Sequence, residues 1–262
     1  METVYVIKIG GNIIDDEAKL AAFLRDFARI DGKKLLVHGG GKLATRLGEA
    51  LRIPQQLVDG RRITDAETLK VVTMVYAGYI NKNIVAQLYA AGCPALGLSG
   101  ADGDAIRAHK RAATGNVDYG FAGDVDTVNA DFLSAQLENG VALVLAPITH
   151  DGSGQLLNTN ADTIAQETAK ALATRYDVRL VYSFEKSGVL RDANDEASLI
   201  ASITPASYDQ LKADGSVHSG MIPKLDNAFA ALRSGVREVI IGKAESLQQL
   251  VLGQTGTRII HE

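Results

Sequence analysis

Six short and nearly continuous apolar runs, at residues 4–9, 35–38, 95–98, 141–146, 178–183 and 238–241, alternate with segments whose apolar residues recur at helical spacing. A strand that is apolar throughout is buried on both faces, and such strands separated by helices belong to a mostly parallel sheet. The helical patterns fall at 17–30, 42–51, 65–90 with a break expected near Gly78, 130–138, 162–174, 205–211, 221–234 and 246–252. The fold class this predicts is α/β, a three-layer αβα sandwich around an open, mostly parallel central sheet.

Three stretches interrupt the rhythm. Residues 57–63, 106–124 and 148–157 combine turn residues with alternation and read as hairpins decorating the sheet edge, where insertions often carry substrate contacts. Residues 188–201, rich in Asp, Ala and Ser, read as a mobile loop. A length of 262 residues is enough for one large core, read here as a single domain of two joined lobes, about 1–175 and about 176–262.

Charge and cysteine usage narrow the partners. A net charge of -4 with no basic block argues against nucleic acid and membrane surfaces, while leaving small anionic ligands open. The single cysteine, Cys93, excludes an intramolecular disulfide and any multi-cysteine metal site, and reads as a small buried apolar residue. Met1 leads almost directly into a strand with no signal peptide, so the expected location is cytoplasmic.

The chemistry gathers where strands end. The first run ends at Lys8-Ile9-Gly10-Gly11 and the second at His38-Gly39-Gly40-Gly41, so bare backbone N–H groups and one fixed positive charge lie at one edge of the sheet. That combination suits a phosphorylated ligand. A P-loop is absent, because Gly41-Lys42 is followed by Leu43 and lacks the earlier glycine. Gly39 to Ala44 fits a dinucleotide fingerprint, but its downstream acid, Asp59, sits in a polar turn instead of at the end of a parallel strand. Downstream, Asn158-Thr159-Asn160-Ala161-Asp162 enters a helix, where Asn160 suits an N-cap and Asp162 suits the helix dipole. Lys224, near the start of another helix, opposes the dipole unless an anion lies nearby.

Taken in order and spacing, Lys8 to Asn12, Val37 to Gly41, Gly60 to Thr64, Asn158 to Asp162 and Gly220 to Lys224 closely resemble the amino acid kinase family, over nearly the whole chain. Within that family they resemble the branch that phosphorylates the side-chain carboxylate of N-acetyl-L-glutamate, a step of arginine biosynthesis. The resemblance implies an N-terminal lobe that binds the acyl amino acid and a C-terminal lobe that binds ATP. It implies that Lys8 and Lys224 meet the transferring phosphoryl group from opposite sides, that Asp162 holds both ammonium groups, and that Gly11, Gly40 and Gly41 donate backbone N–H groups. Arg62 would grip the α-carboxylate, with Asn158 and Asn160 nearby. Gly10, Ser183, Gly188 and Met221 would join the lysines in the nucleotide site. Arg62 as an exposed loop charge and Lys224 as solvated helix surface remain the plainer alternatives.

The implied nucleophile is already ionised at neutral pH, so no general base is needed, and catalysis rests on alignment and electrostatics with ATP and Mg²⁺. One departure stands out: where the family pattern has an aspartate three residues before Gly188, this chain has Glu185. No metal ligand is assigned. Relatives that form hexamers inhibited by arginine carry a helical extension ahead of the first strand, which is not seen before residues 4–9, so the expectation is an arginine-insensitive homodimer. Its contact would lie on the helix from Asp65 onward, which reads equally as an ordinary core helix. N-succinyl-L-glutamate is the alternative acceptor, with Arg107, Lys110 and Arg111 as candidate contacts for the extra carboxylate, or as plain solvated charges. A non-catalytic amino-acid sensor on the same fold is the alternative of another class.

Overall fold

The computed structural model describes residues 1–58, 60–192, 194–217 and 221–261. Asp59 and the Ser219–Gly220 pair of the sequence motifs lie outside the described residues, as does Ala193 of the 188–201 loop. An eight-stranded sheet runs through the molecule in the order Ser202–Ile203, Thr257–Ile259, Glu238–Lys243, Asp177–Phe184, Thr3–Ile9, Lys33–Val37, Ala142–Leu145, Ala95–Leu98. All neighbours are parallel except Glu238–Lys243 with Thr257–Ile259. The six apolar runs are its six longest strands. The two short strands at one edge went unread, because two or three residues carry no periodicity.

Alternation along the strands sorts the core into two layers, since successive side chains point to opposite faces. Val4, Val6, Leu35, Val37, Leu143, Leu145, Leu180 and Tyr182 pack under the helices Ala130–Glu138, Ala161–Leu172, Pro205–Ala213 and Ile222–Arg233. Ile7, Ile9, Leu36, Val144, Val181 and Ile240 face the opposite way, toward Glu17–Ala28, the long helix after Asp65 and Leu247–Val251. These are the two helical layers of the sandwich.

Two expectations need correction. The helix after Asp65 does not break at Gly78. It runs as Ala66–Thr73, a π-helical stretch Met74–Ile80 that contains Gly78, and Asn81–Ala90. A glycine without a following proline leaves every helical N–H in place, and the widened turn accommodates an extra residue. The second and third hairpins, in turn, do not decorate the main sheet separately. Their strands, Ile106–Lys110, Ala122–Val128, Ile148–His150 and Leu156–Thr159, close on one another as a four-stranded barrel. Parallel pairing of Asn158 with Ala122 and of Arg107 with His150 joins the two hairpins, and such long-range pairing leaves no local signal. The 57–63 hairpin is separate, with Gln56–Val58 antiparallel to Arg61–Ile63. In the 188–201 loop, Leu190 bridges Leu199 and the Arg191 N–H donates to the Ser198 carbonyl, so its ends are tied together.

Candidate active site

Lys8 shares strand parity with Val4 and Val6, and therefore faces the Ala161–Leu172 helix. At the carboxyl end of its strand it meets the first turn of that helix, where Lys8 Nζ lies 2.7 Å from Asp162 Oδ1. The next strand places Tyr182 in register with Lys8, and Phe184, two residues on, points to the same side. The Ile222–Arg233 helix covers this face too, which brings Lys224 in, with Nζ 3.9 Å from the centre of the Phe184 ring. Burial holds the Lys224 ammonium below its ordinary pKa; the charge of Asp162 works against that shift and the charge of Lys8 adds to it. One expectation is modified here: Asp162 is in ion-pair contact with Lys8, whereas among the described residues Lys224 has no such pair and reaches Asp162 only through the longer-range field.

Two clefts open on either side of this cluster, both outside the carboxyl ends of the parallel strands, where open α/β sheets bind ligands. The first is lined by Gly39, Gly40, Gly41, Arg62, Asn158 and Asn160, among others, together with Tyr76, Arg111 and Gly123. The second is lined by Lys8, Gly10, Gly11, Asp162, Ser183, Glu185, Gly188, Met221 and Lys224, with Phe184 and Lys186. The two groups of residues expected around an acceptor and around a nucleotide thus fall into two neighbouring clefts. The start of one helix separates them: Asn160 and Ala161 face the first and Asp162 the second.

In the first cleft, Arg62 is buried and committed. Its guanidinium donates to the Gly41 carbonyl and to Thr45 Oγ1, both at 2.9 Å, and to the Gln55 side chain, so the exposed-loop reading fails. Asn158 Nδ2 donates to Thr64 Oγ1 at 3.0 Å. Asn160 is the helix cap that its position suggested, its Oδ1 accepting from the N–H groups of Asp162 and Thr163 at 2.8 and 3.2 Å. The Gly41–Ala50 helix has no side chain capping its start, so its first N–H groups remain available to an anion. Gly40 holds φ +148, and a Cβ there would stand 2.2 Å from Ile80 Cδ1 and 3.1 Å from Tyr76 Cδ1. The π-helical turn delivers both side chains against this glycine.

Behind the glycines, His38 is fully buried. Its Nδ1–H donates to the Gly39 carbonyl at 2.8 Å, and Nε2 accepts from Asn81 Nδ2 at 3.3 Å, which assigns the neutral tautomer. Burial pulls its pKa down to about 4. Of the three cations considered for a succinyl carboxylate, only Arg111 lines the cleft, and it is paired with Asp124. Arg107 pairs with Asp104 and Lys110 with Asp118 on the exposed side of the barrel.

In the second cleft, Ser183 is buried, with an Oγ that has no hydrogen-bond partner among the described residues. Gly188 admits no side chain, since a Cβ would lie 2.6 Å from both Leu199 Cδ1 and Thr257 Oγ1. Glu185 lines this cleft. Among the described residues no group of three His, Cys, Asp or Glu side chains could hold a metal ion. Sequence reasoning gave no role to Phe184, Tyr76 or Gly123. Phe184 was within reach from its parity with Lys8, whereas Tyr76 depended on the π-helical turn.

Comparison with known proteins places the chain among relatives. The sequence pattern of the amino acid kinase family matches residues 3–243. An acetylglutamate kinase of Bacteroides thetaiotaomicron is 56% identical over 258 residues, covering 98% of this chain and 98% of that protein. One from Phocaeicola vulgatus is 56% identical over 248 residues, covering 95% and 96%. Among solved structures, N-acetylglutamate synthase from Neisseria gonorrhoeae, complexed with coenzyme A and N-acetyl-glutamate, superposes with a TM-score of 0.83 at 23% identity. This chain is covered completely in that superposition but spans only 60% of the synthase. At that identity the likeness concerns the fold. The chain belongs to the amino acid kinase family.

Proposed function

We propose that this protein transfers the γ-phosphoryl group of ATP to the side-chain carboxylate of N-acetyl-L-glutamate, forming an acyl phosphate and ADP. One observation carries the reading: two clefts meet at the start of a single helix, with Lys8, Asp162 and Lys224 gathered at the junction. The names of the relatives at 56% identity over nearly the full chain support the same reaction. The acceptor would lie in the cleft of Gly40, Gly41, Arg62, Asn158 and Asn160, with the α-carboxylate toward Arg62. ATP would lie in the cleft of Gly10, Ser183, Gly188, Met221 and Lys224. Lys8 to Ile13 and Asp162, from before residue 175, line the second cleft together with Ser183 to Gly188, Met221 and Lys224 from after it.

The acceptor carboxylate attacks the γ-phosphorus in line, a P–O bond forms, and the bond to the β-phosphate oxygen breaks with its electron pair leaving on ADP. Carboxylates are ionised at neutral pH, so no proton has to be removed. Negative charge on the equatorial oxygens is opposed by Lys8 from one side, by Lys224 from the other, and by the N–H groups of Gly11, Gly40 and Gly41. Asp162 keeps the Lys8 ammonium aimed before the substrates arrive. Mg²⁺, held by nucleotide phosphates and water, would add charge neutralisation, and the chain supplies no three-ligand cage for it among the described residues.

A test is hydroxylamine trapping of the acyl phosphate, with N-acetyl- and N-succinyl-L-glutamate assayed side by side. Efficient turnover is expected with the acetyl compound. Arg111 is the one feature that favours the succinyl acceptor, and its pairing with Asp124 already neutralises the charge it would offer. Preference for the succinyl compound would overturn the assignment, and ATP binding without turnover would favour the sensor. A homodimer in the cytoplasm fits such an enzyme; no helix among the described residues is long and apolar enough to cross a membrane.

A further inference from the structure

Two ammonium groups at the junction share one carboxylate, and the carboxylate is taken. Asp162 pairs with Lys8, while among the described residues no acidic side chain forms an ion pair with Lys224. What Lys224 does contact is an aromatic face: its Nζ lies 3.9 Å from the centre of the Phe184 ring, and Lys8 Nζ lies 5.6 Å from the same centre. The ring is backed by Tyr182, stacked at 6.1 Å with the planes 11° apart, and the Tyr182 hydroxyl points to the Asp162 carbonyl at 3.4 Å. The platform is thus tied to the same helix start that carries the acid.

An aromatic face and a carboxylate hold an ammonium in different ways. A second acid would fix Lys224 but would cancel its charge and repel the phosphates it has to meet. The ring attracts through its quadrupole, carries no net charge, and leaves the full positive charge for the ligand. We propose that Phe184 is a positioning residue for phosphoryl transfer, its face holding the Lys224 ammonium at the junction by cation–π attraction. This rests on the phosphotransferase reading above and adds a residue to it.

The test keeps the shape of the ring and changes its charge distribution. Phe184 is replaced by mono-, di- and trifluorinated phenylalanine, which weaken the negative face stepwise. The expected result is a stepwise fall in kcat, reaching about tenfold at the trifluoro ring, with the KM for N-acetyl-L-glutamate unchanged. Phe184→Leu falls at least as far, and Phe184→Tyr stays within about threefold of the parent. In parallel, NMR of 15N-labelled lysine follows the Lys224 ammonium, whose pKa should drop along the series as support for the charged form is withdrawn. A flat fluorination series in both readouts overturns the proposal. If the parent enzyme itself fails to turn over acyl-glutamate, the functional reading falls, while the NMR series still decides whether Phe184 holds Lys224.

Discussion

Replacing Lys8 by methionine is the most direct probe of the transfer centre. The substitution keeps the length and apolar stem of the side chain on a strand packed on both faces, and it removes the ammonium 2.7 Å from Asp162 Oδ1. The gross attraction across that distance is ~6 kcal/mol at an effective dielectric of about 20, but most of it is offset by solvent, because the Asp162 side chain is 39% exposed. Folding should therefore change little, with a melting temperature within a few degrees of the parent. The transition state is where the loss appears. One aimed donor in a site of this kind is worth about 3 to 4 kcal/mol, so kcat should fall by two to three orders of magnitude while the KM for N-acetyl-L-glutamate moves less than about threefold. Asp162, freed of its partner, adds a repulsion of its own. The double variant Lys8→Met with Asp162→Asn should consequently be no slower than Lys8→Met alone, a non-additivity expected of residues that act as a unit. Coupled ADP release gives the rates, and hydroxamate formation confirms the product. A Lys8→Met enzyme that retains more than about a tenth of the parent kcat would refute the electrostatic account.

Other expectations concern the acceptor cleft and its support. Arg62→Ala should raise the KM for the amino acid by about tenfold or more with a smaller loss in kcat, since a charged hydrogen-bonding group contributes about 1.5 to 3 kcal/mol; an unchanged KM in steady-state assays would remove Arg62 from the acceptor site. Gly40→Ala places a Cβ 2.2 Å from Ile80 Cδ1 at φ +148 and should cost about 1 to 3 kcal/mol of stability, measured by urea unfolding. Adding Ile80→Ala should not restore it, because the backbone strain remains. His38 gives a pH signature: its folded pKa lies near 4 against an ordinary 6.5, so its neutral burial stabilises the fold fully above pH 6.5 and loses that contribution as pH falls toward 4. The span corresponds to about 3 kcal/mol, and His38→Asn should flatten the decline in urea midpoint between pH 6.5 and 4. Equal slopes in the two proteins would contradict the neutral assignment.

The sheet was legible in the sequence because burial on both faces leaves continuous apolar runs, and the residues at the strand ends were legible because glycine clusters and isolated lysines are conspicuous there. Lys8 and Asp162 are brought together as the family resemblance implied. The barrel was read only as two hairpins, since nothing local says that Asn158 will pair with Ala122. Side-chain partners were the least legible. Position could not reveal that Lys224 rests on an aromatic ring instead of an acid, although it did suggest that Asn160 caps its helix. The π-helical turn was invisible because Met74–Ile80 has the composition of any apolar helix.

The closed barrel has a consequence for how such a protein can diversify. Arg111, Ala122 and Gly123 wall the first cleft from strands that belong to the barrel or adjoin it, whereas Lys8, Ser183 and the glycine turns stand on the parallel sheet. The step from Thr159 to Asp162 and the turn from Leu145 to Ile148 link the two bodies in this region. A lineage can therefore reshape the first cleft from its barrel side, residue by residue, while the framework of the second cleft on the parallel sheet stays as it is.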